Sequence, residues 1–152
     1  VRGRIEKIKN DRKINILIDF AHTPDSLENV LKTVREVYDK RLITVFGCGG
    51  DRDKGKRPEM GRISGRLSDY TIITSDNPRS EDPLDIINEI EEGLYGSGAQ
   101  KSCVIAFGEP HFSEYFPGKG HEKYQIFGTE KIHYDEREIV KQILDNGANF
   151  EK

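Results

Sequence analysis

The chain has 152 residues, of which 34% are hydrophobic, and its 24 basic and 27 acidic residues give a formal net charge of −3. Both signs of charge are scattered without the basic block that nucleic-acid or anionic-membrane binding needs, and no apolar run approaches the roughly 20 residues that span a bilayer. Composition therefore argues against nucleic-acid binding and membrane insertion, and the length predicts a single domain over residues 1–152.

The first strand-loop-helix unit follows residues 1–13, which we expect to form a linker or an edge strand. Residues 14–20 are a β-rich apolar run of buried-strand length, and Thr23 with Pro24 supplies a helix cap and a first-turn proline. The helix is predicted to bury a stripe made of Leu27, Val30, Leu31, Val34 and Val37 or Tyr38.

Two more units of this kind follow. Residues 42–46 form a predicted strand before a glycine-rich loop at 47–57, after which Pro58 opens a helix. Residues 70–74 form the next strand, and Asp82 and Pro83 begin another helix. Alternating strands and helices predict a Rossmann-like α/β fold, with a mostly parallel sheet and helices on both faces. Ligands of such sheets gather beyond the carboxyl ends of the strands.

The alternation fails over residues 95–117, an atypical segment in which only 103–107 is apolar and no element is assigned. Beyond it we predict strands at 124–127 and 131–134. A last helix is expected to begin at Asp135, which forms a capping box with Glu138.

The two cysteines, Cys48 and Cys103, lie far apart and lack C-x-x-C spacing. Free thiols in a reducing compartment, and hence a cytoplasmic protein, are expected rather than a disulfide or zinc site. Because the chain starts at Val1 without an initiating methionine or a signal peptide, it is also predicted to be a fragment of a longer protein.

The glycine-rich loop leaves two interpretations open. Its backbone N–H groups could bind an anion between strand and helix, or its dense Arg and Asp residues could form an internally ion-paired turn. A nucleotide P-loop is excluded because Gly55-Lys56 is followed by Arg57 instead of the hydroxyl residue that reaches magnesium.

Polar residues that could bind a ligand also follow the other two strands. Asp76, Asn77 and Arg79 offer an anion, an amide and a guanidinium on a short loop stiffened by Pro78, which suits a small zwitterion. His22 could meet a phosphate or carry a proton, although a hydrogen-bonded loop histidine explains it somewhat better. No metal cluster or nucleophile pattern is present, so no metal ligand and no catalytic residue is assigned.

Four motifs, in this order and spacing, resemble the C-terminal domain of the Mur ligase family: D-F-A-H-T-P at 19–24, F-G-C-G-G-D-R-D-K-G-K-R-P at 46–58, D-N-P-R at 76–79 and G-K-G-H-E at 118–122. The resemblance implies an ATP-dependent amide ligase that adds meso-diaminopimelate to a UDP-muramoyl dipeptide in peptidoglycan synthesis. It also implies that ATP and Mg2+ are bound mainly by a central domain absent from this chain, and that two earlier domains hold the ATP P-loop and the UDP-sugar site. The chain is therefore expected to be inactive alone.

The same resemblance implies roles for particular residues. The diaminopimelate site would comprise Arg52, Asp76, Asn77, Pro78, Arg79, Gly118 and Glu122. Arg4, Asp19 and His22 would face the nucleotide when the domains close. Arginine forks suit carboxylates, and acidic side chains suit a protonated amine.

Two alternatives remain. A cyanophycin or folylpolyglutamate synthetase would share the fold and the D-x-A-H motif, although D-N-P-R argues against it. A non-enzymatic phosphoacceptor module would use Asp19 or Asp76, although Asp19 is followed by Phe20 and not by a second acid.

Overall fold

The computed structural model describes residues 4–11, 14–98, 103–105, 124–127, 129–133, 138 and 141. The elements in chain order are β1 (Glu6–Ile8), β2 (Ile16–Ile18), α1 (Pro24–Val37), β3 (Ile43–Phe46), α2 (Lys56–Leu67), β4 (Tyr70–Ile73), α3 (Pro83–Gly96), β5 (Cys103–Ile105), β6 (Tyr124–Phe127) and β7 (Glu130–His133). Most of the helix predicted from Asp135 lies outside the described residues, and of it only Glu138 and Lys141 are described, both helical.

The central sheet has the strand order β3-β4-β5, and both pairings are parallel. Ile43 aligns with Tyr70 at one end, and Ile73 aligns with Ile105. This arrangement confirms the predicted α/β class. It also assigns structure to part of the segment at 95–117, because α3 continues to Gly96 and β5 extends the sheet.

The prediction for the first strand was wrong in its length and its pairing. Strand β2 covers only Ile16–Ile18 and pairs antiparallel with β1, with Glu6 opposite Ile18. Ile14 is 42% exposed, so the apolar run is not a fully buried strand. The short charged connection between β1 and β2 favours a hairpin, whereas a parallel pairing needs a long crossover.

The helix starts follow local sequence signals. Thr23 and Ser26 cap α1 reciprocally, and the Asp82 side chain accepts a hydrogen bond from the Leu84 N–H at the start of α3. These observations confirm the predicted caps. Helix α2 begins at Lys56, two residues before the predicted start, and Pro58 fits inside it because the first-turn N–H groups need no helical partner.

The stripe predicted for α1 was wrong at its end. Leu27, Leu31 and Val34 are buried, but Val37 is 67% exposed, because α1 ends there and Tyr38 is already extended. Helix α2 packs against both α1 and α3. The core includes these further buried residues: Phe46, Met60, Ile63, Ile73, Ile86, Ile87, Ile90 and Leu94.

Helices α2 and α3 approach each other through glycine. A Cβ atom on Gly61 would lie 2.0 Å from the Ile90 carbonyl oxygen, and one on Gly93 would lie 1.8 Å from that of Pro58. The two helices therefore pack backbone against backbone. The loops before α2 and α3 also lie side by side, because the Gly50 N–H donates to the Asn77 carbonyl.

Candidate functional site

Two loops meet beyond the carboxyl ends of β3 and β4. We call residues 47–55 the glycine loop and residues 74–82 the Asn-Pro loop. The Gly50 N–H donates to the Asn77 carbonyl at 2.8 Å. A Cβ atom on Gly50 would lie 1.8 Å from the Pro78 carbonyl oxygen, and one on Gly47 would lie 2.2 Å from that of Thr74. Only glycine allows the two backbones to lie this close.

Arg79 holds the two loops together from the tip of the Asn-Pro loop. Its Nη1 donates to the Gly50 carbonyl at 2.6 Å and to the Asn77 carbonyl at 3.5 Å. Both hydrogen bonds start from Nη1, and within the described part of the chain Nε and Nη2 of Arg79 make none. The Nε and Nη2 edge of a guanidinium is suited to a bidentate contact with a carboxylate.

The other residues of the predicted D-N-P-R site differ in their exposure. Asn77 is only 6% exposed and Pro78 is buried, whereas Asp76 is half-buried. Arg52 is exposed on the glycine loop, and its Nη1 lies 3.4 Å from the Asp51 carbonyl. The structure therefore places both predicted arginines on the two loops that meet here. Gly118 and Glu122 lie outside the described residues.

Backbone strain marks both loops. Asp51 and Arg79 each have φ of 53°, in the left-handed region that residues other than glycine seldom occupy. The Asp51 carboxylate accepts from the Ser80 hydroxyl at 2.6 Å, which joins the two strained positions. Strain of this kind persists only where surrounding contacts hold it, and it clusters at functional sites.

A buried ion-pair network lies beneath the loops. Arg57 is 0% exposed; its Nη2 and Nη1 lie 2.8 and 2.9 Å from the two oxygens of Glu81. Nη1 also donates to Glu89 at 2.8 Å, and Nη2 donates to the Gly49 carbonyl at 3.2 Å. Lys54 adds an ion pair to Glu81 at 3.1 Å. The network fixes the glycine loop to both helices behind it.

The electrostatics of the network keep its members charged. Hydrogen bonds from Arg57, then from the Asp51 N–H and Lys54, lower the pKa of Glu81 to about 2. The hydrogen bond to Glu81 and the contacts with Glu89 raise the pKa of Arg57 above its ordinary value against the effect of burial. A buried charge needs such partners, because leaving it alone would cost several kcal/mol.

Sequence reasoning missed Arg57, Glu81 and Glu89 as members of the site. Arg57 entered it as the residue that breaks the P-loop pattern and as part of the motif at 46–58, without a role of its own, and its partners are 24 and 32 residues away. A sequence pattern over a few residues cannot indicate a contact between side chains so far apart in the chain. Of the two interpretations of the glycine-rich loop, the structure favours the ion-paired turn.

The three residues predicted to face a nucleotide lie together in a second place. Arg4, Asp19 and His22 line an open cleft of about 440 Å³, beside the start of α1. The Asp19 carboxylate accepts from the Ile5 N–H at 2.7 Å, and His22 Nδ1 lies 3.1 Å from the Phe20 carbonyl oxygen. The His22 side chain is exposed. This cleft offers an arginine and an imidazole to an anion.

The first turn of α2 connects the two places. The Lys56 Nζ donates to the His22 carbonyl at 3.0 Å, while the next residue, Arg57, pairs with Glu81 under the Asn-Pro loop. Two neighbouring residues thus contact the borders of both the cleft and the loop pair. A shift of this turn would affect both.

Cys48 packs in the core directly after β3. It is a free, buried thiol whose Sγ lies 3.7 Å from the Met60 sulfur, and burial raises its pKa to about 12. Cys48 is therefore an inert packing residue in the folded chain. Among the described residues, no group of three or more His, Cys, Asp or Glu side chains could hold a metal ion. Over the same residues, no helix is both long enough and apolar enough to cross a membrane.

Comparison with known proteins decides the family. The sequence profile of the family described as Mur ligase, glutamate ligase domain, matches residues 3–110. The chain belongs to this family. A Clostridium acetobutylicum protein named UDP-N-acetylmuramoyl-L-alanyl-D-glutamate–2,6-diaminopimelate ligase 2 is 52% identical over 95% of the chain. The chain spans about a third of that relative, 32% of its length.

Solved structures agree with this assignment. A structure of a UDP-N-acetylmuramoyl-L-alanyl-D-glutamate–2,6-diaminopimelate ligase superimposes with a TM-score of 0.74 and 33% identity, over 96% of this chain and 32% of that one. A Mycobacterium tuberculosis folylpolyglutamate synthase in complex with ADP gives a TM-score of 0.53 and 21% identity, over 70% of this chain and 22% of that one. The second likeness shows a shared fold. The Rossmann-like architecture is thus that of the Mur ligase domain.

Proposed function

We propose that this chain is the amino-acid-binding domain of an ATP-dependent ligase that joins meso-diaminopimelate to UDP-N-acetylmuramoyl-L-alanyl-D-glutamate in peptidoglycan synthesis. One observation carries the proposal: 52% identity, over 95% of the chain, to a protein named for ligating 2,6-diaminopimelate. The chain would act as the C-terminal domain of a three-domain cytoplasmic enzyme and would be inactive alone.

The proposed reaction needs two half-sites that meet. ATP would transfer a phosphoryl group to the γ-carboxylate of the D-glutamyl residue, with ADP as the leaving group. A deprotonated amino group of diaminopimelate would then attack the acyl phosphate, releasing phosphate and a proton and forming an amide. Delivery of the amino acid by a separate domain would let closure exclude water from an acyl phosphate that hydrolyses readily. This chain would supply the amino-acid half.

The loop pair supports the amino-acid role. Diaminopimelate carries two carboxylates and two protonated amines, so its recognition needs arginine forks and acidic side chains. Within the described residues, the Nε and Nη2 edge of Arg79 makes no hydrogen bond. Arg52 is exposed on the neighbouring glycine loop. Asp76 would receive an amine, and Asn77 and Pro78 would shape the loop. Gly118 and Glu122 would complete the site.

The cleft beside α1 supports the nucleotide-facing role. Arg4 and His22 would approach the ATP phosphates on closure, with the Arg4 charge stabilising the charge that builds up during phosphoryl transfer. Asp19 would hold the Arg4 segment through its hydrogen bond to the Ile5 N–H. Mg2+ would be held with ATP mainly by the central domain of the longer protein.

A calorimetric titration of the chain with meso-diaminopimelate tests the proposal. We expect weak binding that Arg79→Ala abolishes, because the alanine removes the fork for the distal carboxylate. Arg62→Ala is the matched control, since Arg62 is an exposed arginine of α2. Lysine, aspartate and glutamate should bind more weakly than diaminopimelate. Equal affinity of wild type and Arg79→Ala would contradict the proposal, and preference for glutamate or aspartate would favour a folylpolyglutamate or cyanophycin synthetase.

A further inference from the structure

We propose that Glu81 is a positioning residue for the amino-acid site. In this inference, which rests on the proposed function, Glu81 never touches the substrate but sets the affinity for it by holding the glycine loop and the Asn-Pro loop in one arrangement. Arg57 is the buried charge that keeps Glu81 in place.

The Glu81 carboxylate joins separate parts of the chain. Its Oε1 accepts from the Asp51 N–H at 2.6 Å and from Arg57 at 2.8 Å, and its Oε2 accepts from Arg57 at 2.9 Å and from Lys54 at 3.1 Å. Asp51 and Lys54 belong to the glycine loop, and Arg57 belongs to α2. A single side chain, two residues after Arg79, thus fixes the neighbouring loop and the helix behind it.

The fixed positions are the ones that need support. Asp51 and Arg79 both have φ of 53°, a backbone conformation that is unfavourable for any residue with a Cβ atom. Glu81 binds the Asp51 N–H directly, and the Gly50 carbonyl next to Asp51 accepts from Arg79 Nη1 at 2.6 Å. Without the Glu81 contact, the Gly50–Asp51 peptide could turn toward a less strained backbone and release Arg79.

The consequence for binding follows from this chain of contacts. Arg79 presents its Nε and Nη2 edge only while Nη1 is held at Gly50, and Arg52 follows Asp51 directly. Loss of the Glu81 charge would leave Arg52 and Arg79 present, but the orientations of their side chains would no longer be fixed. A misplaced guanidinium forms poorer bidentate contacts with a carboxylate. The conformational entropy lost when it is ordered on binding reduces the affinity further.

Arg57 explains why Glu81 is fixed in turn. Its guanidinium is 0% exposed and also binds Glu89 of α3 at 2.8 Å and the Gly49 carbonyl at 3.2 Å. Because the guanidinium on α2 is bound to α3 and to the glycine loop, the carboxylate of Glu81 has a rigid partner. The site is thus supported by the helix pair and not only by its own loops.

The test uses the isosteric substitution Glu81→Gln, which keeps the shape and removes the charge. Asp69→Asn is the matched control, because the Asp69 carboxylate likewise accepts from a backbone N–H, that of Leu42 at 2.8 Å, and from an arginine, Arg35 at 2.6 Å. Asp69 precedes β4, at the opposite edge of the sheet. The melting temperatures of both variants are measured, so that their effects on binding can be compared at a known loss of stability.

Titration with meso-diaminopimelate gives the deciding comparison. We expect Glu81→Gln to raise Kd at least tenfold, with Asp69→Asn within twofold of wild type, even if both variants melt earlier. A purely structural role lowers the folded fraction and leaves the Kd of folded molecules unchanged. Equal Kd for wild type and Glu81→Gln would overturn the inference.

Hydrogen exchange separates this inference from the proposed function. In Glu81→Gln, the Gly50 and Asp51 amides should lose protection more than tenfold while the α1 amides keep theirs, and Asp69→Asn should not expose Gly50 or Asp51. Unchanged protection at Gly50 and Asp51 would overturn the positioning role whether or not the amino acid binds. If Glu81→Gln shows this loss of protection but the wild-type chain binds no diaminopimelate, the proposed function is contradicted and the positioning role is not.

Discussion

At the scale of single residues, the site depends on a charge that solvent does not reach. Arg57 is completely buried, yet both of its terminal nitrogens are bound to carboxylates or to a carbonyl. Among the described side chains, its Nε is one of the buried polar atoms without a hydrogen-bond partner. A buried ion pair contributes little net stability compared with apolar residues of the same shape, but breaking it by removing one partner is costly. Its presence here therefore fits a role in fixing geometry.

The ionisation of Glu81 predicts a pH dependence. Its pKa falls from an ordinary 4.5 to about 2 because Arg57 and the Asp51 N–H bind the ionised carboxylate. A lowered pKa means that the stabilisation is complete above pH 4.5 and is lost as the pH falls toward 2. The difference in melting temperature between wild type and Glu81→Gln should therefore be constant near neutral pH and shrink over that acid range. Thermal melts at closely spaced pH values measure it, and a difference that does not change down to about pH 2 would refute it.

At the scale of elements, glycine sets the distance between α2 and α3. The Cβ positions of Gly61 and Gly93 lie against carbonyl oxygens of the facing helix, at 2.0 and 1.8 Å. Since α2 carries Arg57 and α3 carries Glu89, the helix spacing also sets the spacing of the ion-pair network. The geometry of the two loops thus depends on how closely α2 and α3 pack.

Substitutions on α3 test this packing. Gly93→Ala places a methyl group 1.8 Å from the Pro58 carbonyl oxygen, so it should lower the free energy of unfolding by about 1–3 kcal/mol or more. Gly96→Ala is the control on the same helix, because its Cβ atom would meet nothing within 4 Å. It should be neutral or stabilise the chain by up to about 1 kcal/mol. Urea denaturation measures both, and equal stabilities would contradict the close packing.

What the sequence could predict at this scale was local. The Thr23 and Asp82 caps, the strand at Tyr124–Phe127 and the burial of Leu27, Leu31 and Val34 depend on neighbouring residues, and the structure confirms them. Val30 of the predicted stripe is only half-buried. The prediction that the first strand pairs in the parallel sheet was wrong for β2, because strand pairing depends on which strand is near in space. Strand β5 was unassigned because three residues carry too short a pattern to identify.

At the scale of the whole molecule, the motifs indicated a candidate site but not the contacts that support it. D-N-P-R follows β4 of the parallel sheet, as a Rossmann-like ligand loop should, while D-F-A-H-T-P follows β2 of the antiparallel pair. The predicted trio Arg4, Asp19 and His22 lines one cleft. Arg57 and Glu81 could not be paired from sequence, because they lie 24 residues apart on different elements. Arg57 lies within the motif at 46–58, but its supporting contacts with Glu81 and Glu89 are seen only in the folded structure.

The chain spans about a third of its named relative, 32% of its length, so the proposed ligase activity would belong to a longer protein of which this domain is one part. The first turn of α2 contacts both the cleft beside α1, through Lys56 and His22, and the loop pair, through Arg57 and Glu81. Domain closure would act on both through this one turn.

The most direct test of the central claim measures ATP turnover by the full-length protein that carries this domain. With UDP-N-acetylmuramoyl-L-alanyl-D-glutamate present, phosphate release should depend on meso-diaminopimelate. L-lysine should replace it poorly, because it lacks the distal carboxylate assigned to Arg79. Arg79→Ala should remove most of this preference. Phosphate release that is equal with lysine and diaminopimelate, or independent of both, would contradict the account.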